Sequence, residues 1–124
     1  MARKRILVVD DEQIMLDFVA SLLRAAGYRV TTAMEGAAAL RAARAERPDL
    51  AVVDLLMPGI DGYAFCSMVR RDRALGFPII VVSGRVGKND AQRAVDSGAA
   101  AFLAKPIDRR QLLETVKQLL EAPP

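Results

Sequence analysis

The stretch Asp49-Leu50-Ala51-Val52-Val53-Asp54-Leu55-Leu56-Met57-Pro58 decides the fold, because an apolar run ends there in one carboxylate and is followed by a turn. Leu50 to Val53 is short, rich in β-branched residues and without the polar alternation of a half-exposed strand. It reads as a strand buried on both faces, as in a parallel sheet. Such a strand delivers its next residue, Asp54, to the carboxyl edge of the sheet, where open α/β folds hold their ligands.

The same device recurs along the chain. Ile6 to Val9 runs into Asp10-Asp11, Ile79 to Val82 ends at Ser83, and Ala100 to Ala104 ends at Lys105-Pro106, whereas Tyr28 to Ala33 alternates and ends without an acidic residue, as an edge strand does. Helical spacing separates these strands. Glu12 to Ala26 repeats apolar residues at Met15, Phe18, Val19, Leu22 and Ala26, with Gly27 as a stop. On that phase Ile14, Leu16 and Leu23 are surplus to the buried stripe, although core packing is the expected fate of at least two of them. Gly36 to Glu46 is alanine-rich, and Gly62 to about Arg73 follows Asp61 as N-cap and buries Phe65, Cys66 and Val69. Asn89 to Ser97 has only Ala91, Ala94 and Val95 to bury and is expected to be weakly anchored. Asp108 and Gln111 open a last helix with a capping-box spacing, and Leu112, Leu113, Val116, Leu119 and Leu120 form its stripe.

Five strands alternating with five helices predict an α/β fold: a five-stranded parallel sheet, doubly wound as a (βα)5 flavodoxin-like three-layer sandwich. The common order for five strands is 2-1-3-4-5, which sets Asp10-Asp11 and Asp54 on either side of the switch-point crevice. Neighbouring strands lie ~4.8 Å apart, so Lys105 starts roughly 10 Å from Asp54 and only a long side chain reaches back. Carboxylates crowded in this way call for a cation. With oxygen donors alone, and no histidine in the chain, a hard ion such as Mg²⁺ fits best. A hydroxyl and a lysine facing such a site suit a phosphoryl group, with one carboxylate as nucleophile.

At 124 residues, 52% of them hydrophobic and 27% charged, the chain is expected to be one domain over residues 1–124. No signal-peptide core or bilayer-length apolar run is present, so a cytoplasmic location without membrane contact is expected. The lone Cys66 reads as a core residue. The net charge of +3 is scattered, apart from Arg3, Lys4 and Arg5, and no direct nucleic-acid contact is expected.

Val8-Val9-Asp10-Asp11, Asp54-Leu55-Leu56-Met57-Pro58, Asp61-Gly62, Ser83, Gly98-Ala99 and Lys105-Pro106 together resemble the response-regulator receiver family of two-component signalling. The resemblance covers essentially the whole chain. It implies that Asp54 accepts a phosphoryl group from a phosphohistidine on a histidine kinase or histidine phosphotransfer protein. Asp11 and Asp54 would ligate Mg²⁺, Asp10 would act mainly through water, and the backbone carbonyl of Leu56 would add a ligand. Ser83 and Lys105 would engage phosphoryl oxygens, and a cis bond would precede Pro106. Phe102 matches the aromatic that changes rotamer on activation, where many members have tyrosine. Leu56 and Arg85 would flank the path of the hydrolytic water. The implied product is a switch on protein contacts with a downstream target, as a monomer or a phosphorylation-dependent dimer, and not a turnover enzyme. Ile14 and Met15 are candidates for kinase contact. A pseudo-receiver without phosphotransfer is the alternative; a flavin-binding flavodoxin would need a hydroxyl- and glycine-rich loop where this chain has Asp10-Asp11-Glu12.

Overall fold

The computed structural model describes residues 3–84, 87 and 89–121. Ten elements alternate without exception: β1 (Arg5–Val9), α1 (Gln13–Ala25), β2 (Arg29–Ala33), α2 (Gly36–Glu46), β3 (Leu50–Asp54), α3 (Gly62–Arg71), β4 (Ile79–Ser83), α4 (Asp90–Asp96), β5 (Ala101–Ala104) and α5 (Arg109–Glu121). All strand pairs are parallel and the order is β2-β1-β3-β4-β5.

The continuous apolar runs have a simple cause. Successive side chains of a strand point to opposite faces, so a strand covered on both sides needs an apolar residue at every position. Leu7, Val9, Ala51, Val53, Ile79 and Val81 face one cluster, built with Leu40 of α2, Phe65 and Cys66 of α3 and Ala94 of α4. Ile6, Val8, Leu50, Val52, Ile80 and Val82 face the other, with Leu16, Val19 and Leu23 of α1 and Leu112 and Val116 of α5. Burial pushes the Cys66 thiol up to about 12, with nearby Asp61 adding to the effect, so it stays protonated and inert at neutral pH.

Helix ends follow local chemistry. Asp61 caps α3 by accepting from the Ala64 N–H at 2.8 Å, and Asp108 accepts from the Gln111 N–H at 3.0 Å. Gly27, at φ 100°, and Gly98, at φ 101°, follow α1 and α4 in the left-handed conformation that glycine adopts without steric cost.

Two expectations fail here. The buried face of α1 is Leu16, Val19, Ala20 and Leu23, which keeps Val19 of the expected stripe but is otherwise one position out of phase with Met15, Phe18 and Leu22. Phe18 is exposed and Leu22 only half-buried. Apolar residues crowd this helix so densely that two phases satisfy the helical period, and one residue of shift turns the face by about 100°. In α4, Ala91 and Val95 are exposed and only Ala94 is buried among the apolar candidates. Polar contacts anchor this helix instead. Buried Asp90 accepts from the Gly87 N–H at 2.6 Å, and the Tyr63 hydroxyl of α3 lies 3.1 Å from the Asp90 carbonyl oxygen and 3.2 Å from Oδ1. The Arg93 guanidinium stacks 4.4 Å from the centre of the Tyr63 ring.

Candidate functional site

The site is assembled at the carboxyl edge of the sheet. β1 and β3 run side by side with Val9 opposite Val53, so Asp10 and Asp54 emerge as neighbours across the crevice. Asp10 is buried, and its Oδ1 accepts from the Glu12 N–H at 2.9 Å, which turns the chain and leaves Asp11 exposed beside it. Asp10, Asp11 and Asp54 each offer an oxygen, and these atoms lie within 4.8 Å of one another. Three hard oxygen donors at that separation suit a divalent cation of the magnesium type.

Lys105 spans the distance expected of it. Its Nζ stands 3.2 Å from Asp10 Oδ2 and 3.2 Å from Asp54 Oδ1, with Glu12 Oε1 at 4.0 Å. The Lys105 N–H donates to the Ser83 carbonyl at 2.8 Å, and the peptide bond to Pro106 is cis, as expected. Burial is the main cause that raises the Asp54 carboxyl, the nearby Asp10 charge adds to it, and Lys105 opposes both; the net result is about 6. Burial alone would lower the Lys105 pKa, but attraction to Asp54 and then Asp10 outweighs it and raises it. Lys105 therefore remains an ammonium at neutral pH.

Asp11, Asp54, Leu56, Gly84 and Lys105 line a cleft of about 530 Å³ over the crevice, and the Leu56 side chain is 54% exposed at its rim. Ser83 ends β4 one strand from Asp54 and is 1% exposed. Phe102 sits opposite Val81 on β5, half-buried against the α3/α4 side of the sheet. Arg85 lies outside the described residues.

Two contacts escaped the sequence reading. Glu12 brings a third carboxylate toward Lys105, signalled only by its place after Asp10-Asp11. Gly62 packs α3 onto the phosphoacceptor candidate's own backbone: a Cβ there would sit 2.9 Å from Leu55 Cα and 3.0 Å from the Asp54 carbonyl oxygen. Its signal was a glycine directly after an N-cap aspartate.

The pattern that defines the response regulator receiver domain matches residues 6–117. The chain is a response regulator receiver domain. This receiver is 37% identical over 116 residues to the response regulator PleD of Caulobacter vibrioides and 35% identical over 117 residues to the alkaline phosphatase synthesis transcriptional regulatory protein PhoP of Bacillus subtilis. These matches take up 93% and 94% of the receiver but 26% of PleD and 48% of PhoP, so it spans only part of the length of these relatives. Its fold superposes on the chemotaxis protein CheY4 of Vibrio cholerae with a TM-score of 0.89 at 31% identity, covering 95% of this chain and 99% of that one. The receiver is thus a module of two-component signal transduction, and no described helix is long and apolar enough to cross a membrane.

Proposed function

We propose that this receiver, read as one domain over residues 1–124, takes a phosphoryl group onto Asp54 from a phosphohistidine of a histidine kinase or histidine phosphotransfer protein. The observation that carries the reading is the Lys105 ammonium 3.2 Å from both Asp54 and Asp10 within a three-carboxylate cluster. An Asp54 oxygen attacks phosphorus in line, the new O–P bond forms as the N–P bond breaks, and the imidazole nitrogen keeps the electron pair. Asp11, Asp54 and the Leu56 carbonyl would hold Mg²⁺, with Asp10 acting through water. When bound, the ion supplies positive charge that neutralises phosphoryl oxygens. Lys105 pairs with one oxygen of the transferred group and Ser83 donates to another.

Phosphorylation draws the Ser83 hydroxyl inward toward the phosphoryl group, which biases Phe102 and remodels the face of α4, β5 and α5 for a downstream protein target. The α4 anchor suits this task, since it rests on one buried alanine and a few polar contacts and not on a wide apolar face. We place the protein in the cytoplasm, acting through protein contacts as a monomer or a phosphorylation-dependent dimer. It performs its own phosphorylation chemistry and does not turn over a free metabolite. The intact charge set, with acceptor, cation and clustered carboxylates, favours this reading over a pseudo-receiver.

Intact mass after incubation with Mg²⁺ and acetyl phosphate tests the proposal. Wild type should gain one phosphoryl group and Asp54→Ala none. Failure of wild type to label, together with failure to bind magnesium, would leave an interaction module without phosphotransfer.

The exposed, apolar Leu56 side chain cannot orient a water for attack on the acyl phosphate, so hydrolysis should be slow. Leu56→Asn is expected to shorten the phosphoryl half-life several-fold while leaving the initial rate of labelling unchanged. An unaltered half-life would remove Leu56 from the water path.

A further inference from the structure

The opposite end of the sheet carries a second concave site. A cavity of about 420 Å³ is lined by Arg3, Arg5, Arg24, Arg29, Tyr28 and Glu46, brought together from the approach to β1, the last turn of α1, the start of β2 and the end of α2. Four arginines and one glutamate line it, and the Asp49 carboxylate accepts from the Arg5 N–H beside it at 2.7 Å. The local excess of three positive charges equals the formal net charge of the whole chain, +3, so the remaining charges cancel elsewhere.

All four arginines are exposed, so their charges are solvated and open to an anion from solution. Arg5 and Arg29 are register partners on adjacent strands, so both side chains leave the sheet on the same face, and like charges directly opposite destabilise a sheet. Glu46 relieves only Arg5, which lies 3.7 Å from Glu46 Oε2 and donates to the Glu46 carbonyl oxygen at 2.9 Å. Arg24 donates to the Val30 carbonyl oxygen at 3.3 Å, covering the open edge of β2. Among the described residues, no carboxylate lies within 4 Å of the Arg3, Arg24 or Arg29 guanidinium.

We propose that this cavity binds a small ligand through a diphosphate group. Guanidinium forks match phosphate oxygens two at a time, and several arginines lining one cavity suit more than one phosphate. The volume falls in the range of small-molecule sites, roughly 300–1,000 Å³, whereas a duplex would require an extended basic stripe and not a pocket. The diphosphate is either inorganic or part of a nucleoside diphosphate, whose base would lie against Tyr28. The site is separate from the phosphoacceptor: Arg5 opens β1 and Asp10 directly follows its other end, about 16 Å away.

Calorimetric titration with pyrophosphate and with ADP tests the assignment, carried out without divalent cations so that the carboxylates at the far edge repel both probes. Saturable binding is expected, weakened by more than about tenfold in Arg29→Gln and in Arg24→Gln and by added salt, since each variant removes a charge-assisted contact. Both variants should label with acetyl phosphate as wild type does, which shows that they fold. ADP binding tighter than pyrophosphate, with the difference lost in Tyr28→Leu, identifies a nucleotide; equal affinity identifies inorganic diphosphate. The proposal falls if neither probe saturates, if the arginine variants bind as wild type, or if Asp54→Asn abolishes binding. It also falls if only duplex DNA binds with the same arginine dependence.

Discussion

Lys105→Met should destabilise the metal-free protein at pH 7 by about 3 kcal/mol, because it leaves buried carboxylates without their cation. Methionine keeps most of the stem, so packing changes little. What is lost is the ammonium 3.2 Å from both Asp10 and Asp54, whose side chains are 8% and 7% exposed. Lys105 opposes the upward shift of Asp54, and without it Asp54 takes up a proton at still higher pH. The deficit should therefore shrink as pH falls toward 5, and it should also shrink on adding magnesium, which restores positive charge between the same oxygens. Urea unfolding of both proteins at pH 5 and pH 7, with and without magnesium, measures all four differences. A deficit indifferent to both pH and magnesium would make Lys105 a packing residue. The labelling rate with acetyl phosphate should fall by about 10²-fold, the effect of removing one preorganised donor from a developing oxyanion.

Much of this site was legible because strand physics writes it plainly. A strand buried on both faces needs a continuous apolar run, and the first polar residue after the run marks the sheet edge; Asp10, Asp54 and Ser83 stand at that point on β1, β3 and β4. Reach was legible too, since only a long, flexible cation could cross from β5 to β3. The strand order entered as the common solution for five strands and is the order observed. Glu12 was not legible as a neighbour of Lys105, because its position depends on the turn that Asp10 makes by accepting from the Glu12 N–H.

Faces of helices were harder to read than ends of strands. In α1, apolar side chains at Ile14, Met15, Leu16, Phe18, Val19, Leu22 and Leu23 satisfy more than one helical phase, and packing against the sheet and α5 selects Leu16, Val19 and Leu23. Phe18 of the rejected phase is 40% exposed and Ile14, outside both phases, is 84% exposed, an apolar strip along α1. In α4 the anchoring was read from apolar residues alone. The buried contact is Asp90 with Tyr63, twenty-seven positions away in sequence, and no local pattern announces such a pair.

Asp54→Asn should stabilise the metal-free protein at pH 7 by about 2 kcal/mol while abolishing phosphoryl uptake. Folding lifts the Asp54 carboxyl from 3.8 to about 6, chiefly by burial and next by the Asp10 charge. A carboxyl whose folded value is raised contributes stability below its unfolded value, and that contribution is lost as pH rises through the folded value. The loss therefore runs from about pH 4 to about pH 6 and is complete at pH 7, where it corresponds to roughly 3 kcal/mol at 1.36 kcal/mol per unit. Asparagine keeps the shape and removes the ionisation; the value of about 6 already includes the attraction to Lys105, and solvent screening at the open cleft trims the gain. Unfolding free energies in urea across pH 4 to 7 should show wild type losing more stability than Asp54→Asn, with the two curves separating through that interval. Magnesium should narrow the gap at pH 7 by stabilising wild type more, since the variant has lost one anionic ligand. Parallel curves over the whole range would mean that Asp54 is not the group that titrates there.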